Sequence, residues 1–280
     1  MMIRIKYAAL CHKGLIRSKN QDNFWCANVF LESKNEGLTE LIAGTTDSSV
    51  FQAFAVFDGM GGEQQGEVAA YIAASHFNEL LLNAQVGPGA DPGAGPGVGD
   101  PKKFLLDACL DMNRKICEYR KENNIRQMGA TAAILICCQD GAFIGNVGDS
   151  RIYQINGKKM SQISRDHSEK ISIGKKAPLS QNLGIPETEF IIEPYIAKGE
   201  YRNGDKFLLC SDGLTDMVSD EEIRSITTPK KSVSDTVKEL VETALEKGGR
   251  DNITVIVCEL RKQSRFFNFG YTRKRKIKGE

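Results

Sequence analysis

Four aspartates stand beside apolar runs in similar local settings. Asp58 follows one in FAVFDGMGG, and Asp212 follows another in FLLCSDGLTD; each precedes a glycine. Asp251, in GGRDNITVIV, and Asp22, in RSKNQDNF, lie just ahead of apolar runs. Carboxylates at strand ends are well placed to converge on one pocket. An adjacent glycine lets the backbone, including a carbonyl oxygen, come close to an ion. A carboxylate cluster without His or Cys suits hard divalent ions such as Mg²⁺ or Mn²⁺. A single Asp-Gly is an ordinary turn element, so the chemistry is suggested by the repetition and not by any one site.

The elements that must position these residues follow from periodicity. Ile3–Cys11, Asn23–Leu31, Phe51–Phe57, Lys206–Cys210 and Ile253–Leu260 read as strands. Ala130–Gln139 and Ala142–Val147 flank a Gln-Asp-Gly turn, and Arg151–Ile155 and Lys159–Ile163 flank Asn156-Gly157, a strong hairpin signal. Gly66–Leu82, Pro101–Asn123 and Ser232–Lys247 read as helices; the second opens on proline, and the third has Ser232 or Ser234 as N-cap and ends at Gly248-Gly249. Hairpin-linked strands with both faces apolar predict two antiparallel sheets packed together with helices outside. The fold class expected is therefore α+β. Gly87–Asp100 (GPGADPGAGPGVGD) is read as an exposed flexible loop joining two helices.

The 280 residues are 41% hydrophobic and 26% charged, the balance of a soluble globular chain with a sizeable core. Thirty-seven Lys and Arg against 36 Asp and Glu give a net charge of +1, which argues against nucleic acid as a partner. No apolar run approaches the length that crosses a bilayer, and MMIRIKYAAL lacks a secretory signal, so a cytoplasmic location is expected. The eight cysteines show no CxxC pair and are read as buried free thiols. Nothing demands an oligomer, and a monomer is expected.

Five motifs follow one another: RSKNQD (Arg17–Asp22), DGMGG (Asp58–Gly62), VGDSR (Val147–Arg151), SDGLTD (Ser211–Asp216) and GRDNIT (Gly249–Thr254). Each is weak alone. In this order and at these separations they resemble the PPM family, the type 2C protein phosphatases, especially its bacterial members, from about Tyr7 to Leu260. The resemblance implies a four-layer αββα sandwich spanning residues 1–260, followed by a basic tail over residues 261–280. It implies hydrolysis of phosphoserine and phosphothreonine in proteins, with two divalent ions (Mn²⁺ or Mg²⁺) and room for a third. Asp58 would bridge two ions, with the Gly59 carbonyl as a further ligand. Asp212 and Asp251 would hold the second ion, Asp22 would stand near the ions directly or through water, and Asp149 would share a third ion with Asp212. Arg17, five residues before Asp22, matches the phosphate-binding arginine; its planar guanidinium can grip two phosphoryl oxygens. A water bridging two ions is acidified enough to supply hydroxide for in-line attack on phosphorus. The partners implied are phosphorylated proteins and a cognate Ser/Thr kinase.

The pattern also departs from the family. Many members carry His just after the Asp-Gly or two glycines later, where this chain has Met60 and Glu63. Met60 cannot protonate a leaving group, and Glu63 is read as a surface residue. Only Glu169–Pro178 is available for the flap that precedes Leu179–Gly184. His167, in a D-H-S element, is read as structural, and His12 and His76 carry no signal. A pseudophosphatase that keeps the fold without the metals is the alternative class; the presence of Arg17 and all four aspartates weighs against it. The tail Arg265–Lys278 sets aromatics beside a basic cluster, a pattern suited to an acidic partner or a membrane surface. The reading adopted is a disordered solubilising tail.

Overall fold

The computed structural model describes residues 2–48, 51–61, 65–86, 99–168, 178–228 and 230–263. The chain runs β1 (Met2–His12), β2 (Asp22–Cys26), β3 (Ile42–Ser48), β4 (Phe51–Met60), α1 (Gly66–Val86), α2 (Pro101–Glu122), β5 (Gly129–Ala130), β6 (Ala132–Cys138), β7 (Gly141–Val147), β8 (Arg151–Asn156) and β9 (Lys159–Gln162). It continues through β10 (Tyr195–Gly199), β11 (Lys206–Cys210), α3 (Asp212–Thr215), α4 (Asp220–Thr227), α5 (Val233–Glu246) and β12 (Ile253–Gln263). One sheet has the order β3-β1-β12-β11-β8-β9, the other β10-β7-β6-β4-β2, with β5 pairing β4. Every ladder is antiparallel.

Three apolar layers hold these elements, and strand alternation assigns each side chain to its layer. On β4, Phe54 and Val56 enter the layer between the sheets, while Ala55 and Phe57 lie under α1 and α2. On β12, Ile256 and Cys258 face inward, and Val255 and Val257 pack outward against Val237 and Leu240 of α5. Strands buried on both faces must be apolar throughout, which is why they read as continuous apolar runs. The result is the four-layer αββα sandwich.

The helices start where the sequence supplies caps. Asp100 accepts from the Lys102 amide ahead of Pro101, Ser219 and Glu222 form a reciprocal capping box, and Ser232 accepts from the Asp235 amide. Ala69, Ala70, Ala73 and Ala74 are fully buried, so the α1 backbone can approach the sheet closely.

Several expected elements change. The strand expected over Asn23–Leu31 ends at Cys26, because Ala27 and Asn28 take positive φ (53° and 64°) and fold the chain back to a Cys26–Val29 bridge. The strand expected over Ala130–Gln139 is split at Thr131. β3, β10, α3 and α4 were not expected. β12 runs to Gln263, three residues past Leu260. All eight cysteines are free, and all but Cys117 are buried. Residues 87–98 of the Gly/Pro-rich loop, Glu63, residues 169–177 of the flap and residues 264–280 of the tail lie outside the described residues.

Candidate active site

One end of the sandwich gathers the chemistry. The register places together the last residues of β1, β4, β7 and β11 and the first residues of β2, β6, β8 and β12. A cavity of about 390 Å³ opens there, lined by Arg17, Gln21, Asp58, Gly59, Met60, Gly61, Thr131, Asp149, Leu179, Asn182, Asp212 and Asp251. Six of the seven residues singled out from the sequence line it. Asp22 does not: it is 2% exposed and sits behind the wall, directly across the ladder from Asp58.

Each wall has a local cause. Asp58 follows the buried run Ala53–Phe57 of β4; its amide donates to Thr131 Oγ1 at 3.0 Å, and its carbonyl accepts from the Thr131 amide at 2.8 Å. Gly59 is packed so tightly that a Cβ would come within 2.1 Å of the Gly66 carbonyl oxygen, so no other residue fits there. Asp212 opens the short helix α3, and a Cβ on Gly213 would meet the Asn252 carbonyl at 1.9 Å. Asp149 lies in the β7–β8 turn, where the Gly148 amide donates to His167 Nδ1 at 3.2 Å and the His167 amide donates to the Gly148 carbonyl at 2.9 Å. Arg17 Nη2 donates to Asp251 Oδ2 at 2.7 Å across the mouth, and that hydrogen bond holds the guanidinium pKa above its ordinary value.

Residues that the sequence reading passed over hold this frame. Asn252 is the main pin of the Arg17 segment. Its Nδ2 donates to the carbonyls of Lys13 (2.7 Å) and Lys19 (2.9 Å), and its Oδ1 accepts from the Gln21 amide (2.8 Å). Ser211 Oγ and Thr254 Oγ1 each donate to Asp22 Oδ2 at 2.7 Å. His12 Nδ1 accepts from the Gly14 amide at 2.9 Å. Asn252, Ser211 and Thr254 belong to the quoted motifs, so the motif boundaries were the available signal. His12 had none.

The electrostatics are those of carboxylates brought together. Asp58 is half-buried and lines the cavity. Burial, then the charges of Asp212, Asp22, Asp149 and Asp251, push its pKa well above the ordinary value. Burial pushes Asp22 up to about 7 against the lowering hydrogen bonds from Thr254 and Ser211. Among the described residues no three His, Cys, Asp or Glu side chains converge on one ion position as they stand; the carboxylates line a cavity. An all-oxygen donor set whose members repel one another fits a hard divalent cation, which relieves that repulsion.

The model of the family described as protein phosphatase 2C matches residues 42–257. The chain belongs to the protein phosphatase 2C family. It is thus a metal-dependent protein phosphatase, a hydrolase. It is 29% identical over 220 residues to protein phosphatase PhpP of Streptococcus pneumoniae, covering 74% of this chain and 85% of that protein. It is 28% identical over 259 residues to serine/threonine phosphatase stp of Listeria innocua, covering 88% of this chain and 92% of the relative. Among solved structures, the catalytic domain of the serine/threonine phosphatase PstP in complex with two manganese ions superposes with a TM-score of 0.71 at 27% identity, covering 93% of this chain and all of that one. No helix among the described residues is long and apolar enough to cross a membrane.

Proposed function

We propose that this phosphatase hydrolyses phosphoserine and phosphothreonine in proteins at the cavity between Arg17 and the four aspartates that line it. Asp58 and the Gly59 carbonyl, with Asp212 and Asp251, would hold two divalent ions, Mn²⁺ or Mg²⁺, and Asp149 with Asp212 would hold a third. Bound there, such ions supply Lewis-acid activation of water and neutralise charge on the phosphoryl oxygens. The protein's own part is to orient and to exclude. Arg17 exchanges its bond to Asp251 for the substrate's phosphoryl oxygens, which its planar fork can hold in pairs. Asp22 stands behind Asp58, fixed by Ser211 and Thr254, and would act on the ions from behind the cavity wall. Met60 has no proton to give, and none of the described lining residues is a histidine, so the leaving-group proton does not come from a cavity imidazole.

The observation that carries this reading is that Arg17 and carboxylates from the loops after β1 and β7, the end of β4 and the two sides of the β11–β12 connection surround one cavity. The likeness to the serine/threonine phosphatases stp and PstP supports Ser/Thr specificity. The natural partners would be phosphoproteins and the Ser/Thr kinase that modifies them, and the enzyme would act as a cytoplasmic monomer.

The test is phosphate release from a phosphothreonine peptide with Mn²⁺, with Mg²⁺, and after chelation. Turnover should require the metal and should vanish in Asp58→Asn. A folded protein without metal-dependent turnover would sink the enzyme reading and leave that of a binding module.

A further inference from the structure

Leu15 and Ile16 stand immediately before Arg17, and both face solvent, 61% and 71% exposed. Single exposed aliphatics are common and need no explanation. These two are adjacent, and the fold holds them in place. The Leu15 amide donates to the Gly249 carbonyl at 2.7 Å. Gly14 takes a φ of +83° and packs so closely that a Cβ would come within 2.1 Å of the Asp251 carbonyl oxygen. Asn252 binds the carbonyls of Lys13 and Lys19 on either side. The segment is therefore pinned before, at and after the two side chains, and its apolar surface is held next to Arg17, outside the lining of the cavity itself.

The cavity's own lining is mostly charged or polar, with Met60 and Leu179 as its large apolar side chains. A phosphorylated side chain gripped by Arg17 has its own chain neighbours about 3.3–3.6 Å per residue away. A peptide lying along the Arg17 segment would set them beside Leu15 and Ile16. An acidic neighbour would meet Asp251 and the other cavity carboxylates, whereas an aliphatic one would cover Leu15 or Ile16.

We infer that Leu15 and Ile16 form an apolar shelf that receives an aliphatic side chain flanking the phosphoserine or phosphothreonine. The enzyme would thereby prefer phosphosites with apolar neighbours to those with acidic ones. This inference rests on the reading of the cavity as the phosphate site. It adds a sequence requirement to an otherwise phosphate-centred site, and assigns it to residues that touch neither metal nor phosphate.

The experiment uses the full chain with Mn²⁺ and two phosphothreonine peptides that differ only in carrying Leu or Glu at both flanking positions. Each kcat/KM is normalised to the same protein's rate on p-nitrophenyl phosphate, which has no flanks. The wild type should favour the Leu peptide about tenfold, the low end for a hydrophobic pocket contact, mostly through KM. In Leu15→Ser/Ile16→Ser the ratio should fall toward the Glu repulsion alone, and a third peptide with Ser flanks measures that remainder. Equal rates on the Leu and Ser peptides in the wild type would overturn the shelf, even if the double variant does not fold. So would an unchanged Leu preference in the double variant. Failure of the wild type on all the peptides and on p-nitrophenyl phosphate would instead overturn the phosphatase reading.

Discussion

Asp22 lies directly across the β2–β4 ladder from Asp58. Like charges opposite one another destabilise a sheet, and here the pair adjoins three further carboxylates. Stability and catalysis therefore pull apart at this ladder. Asp58→Asn should cost about 10³-fold in kcat or more, since several kcal/mol of transition-state stabilisation come with bound metal. In chelator the same variant should melt no lower than wild type, because neutral Asn removes the repulsion. Asp22→Asn should weaken metal about 10–100-fold while keeping measurable turnover at saturating Mn²⁺. Thermal melts with and without Mn²⁺, alongside rates, check all three; a lower melting point for chelated Asp58→Asn would refute the repulsion argument.

Arg17→Lys keeps the charge and loses the fork. A hydrogen bond to a charged group contributes about 1.5–3 kcal/mol, so kcat/KM on a phosphopeptide should drop roughly 10–100-fold. Steady-state kinetics against inorganic phosphate as a product inhibitor would show the same loss in phosphate affinity. A lysine enzyme as good as wild type would mean that Arg17 works as a point charge only.

Asn252 joins the β12 entry to the segment carrying Arg17 by three hydrogen bonds. Asn252→Ala should destabilise the protein by about 1–3 kcal/mol and speed amide exchange over residues 13–21 in particular. Exchange mass spectrometry resolves that segment. Uniform acceleration across the sandwich would count against a local pin.

Two histidines brace the site through neutral nitrogens. His167 Nδ1 accepts from the Gly148 amide and His12 Nδ1 from the Gly14 amide. Burial, helped by Arg165 at His167 and by Lys13 at His12, lowers both pKa values below the ordinary 6.5. A folded-state pKa below the unfolded one gives stability that is fully present above about pH 6.5. It is lost as pH falls through the depressed folded values. Replacing His167 by Asn, whose Oδ1 can accept from the same amide, should flatten the acid limb of the melting curve against pH. An acid limb unchanged in His167→Asn would remove this histidine from the account.

The central strands were legible because a strand buried on both faces must be apolar. The missed strands, β3 and β10, are edge strands at the ends of their sheets. They are half-exposed, and IAGTTDS and YIAKG carry little apolar signal. α3 has four residues, too few for any period, and α4 has eight, though its Ser219–Glu222 capping box was there to be read. Among site residues, Asp58, Asp149, Asp212, Asp251 and Arg17 could be named from motifs. The depth of Asp22 could not, since it depends on which strand lies beside it. The partners of Asn252 were equally hidden, because its bonds reach residues more than 200 positions away, and the local His12–Gly14 bond carries no motif.

β1 and β12 pair along eleven residues, and Arg17 bonds an aspartate 234 positions away. The phosphate grip and its carboxylate partner thus leave the ribosome with most of the sandwich made between them. Until β12 slots between β1 and β11, a nascent chain has Asp58 and Arg17 but no Asp251 and no closed cavity. Phosphatase activity should therefore wait on β12, and a chain made only as far as α5 should strip no phosphates.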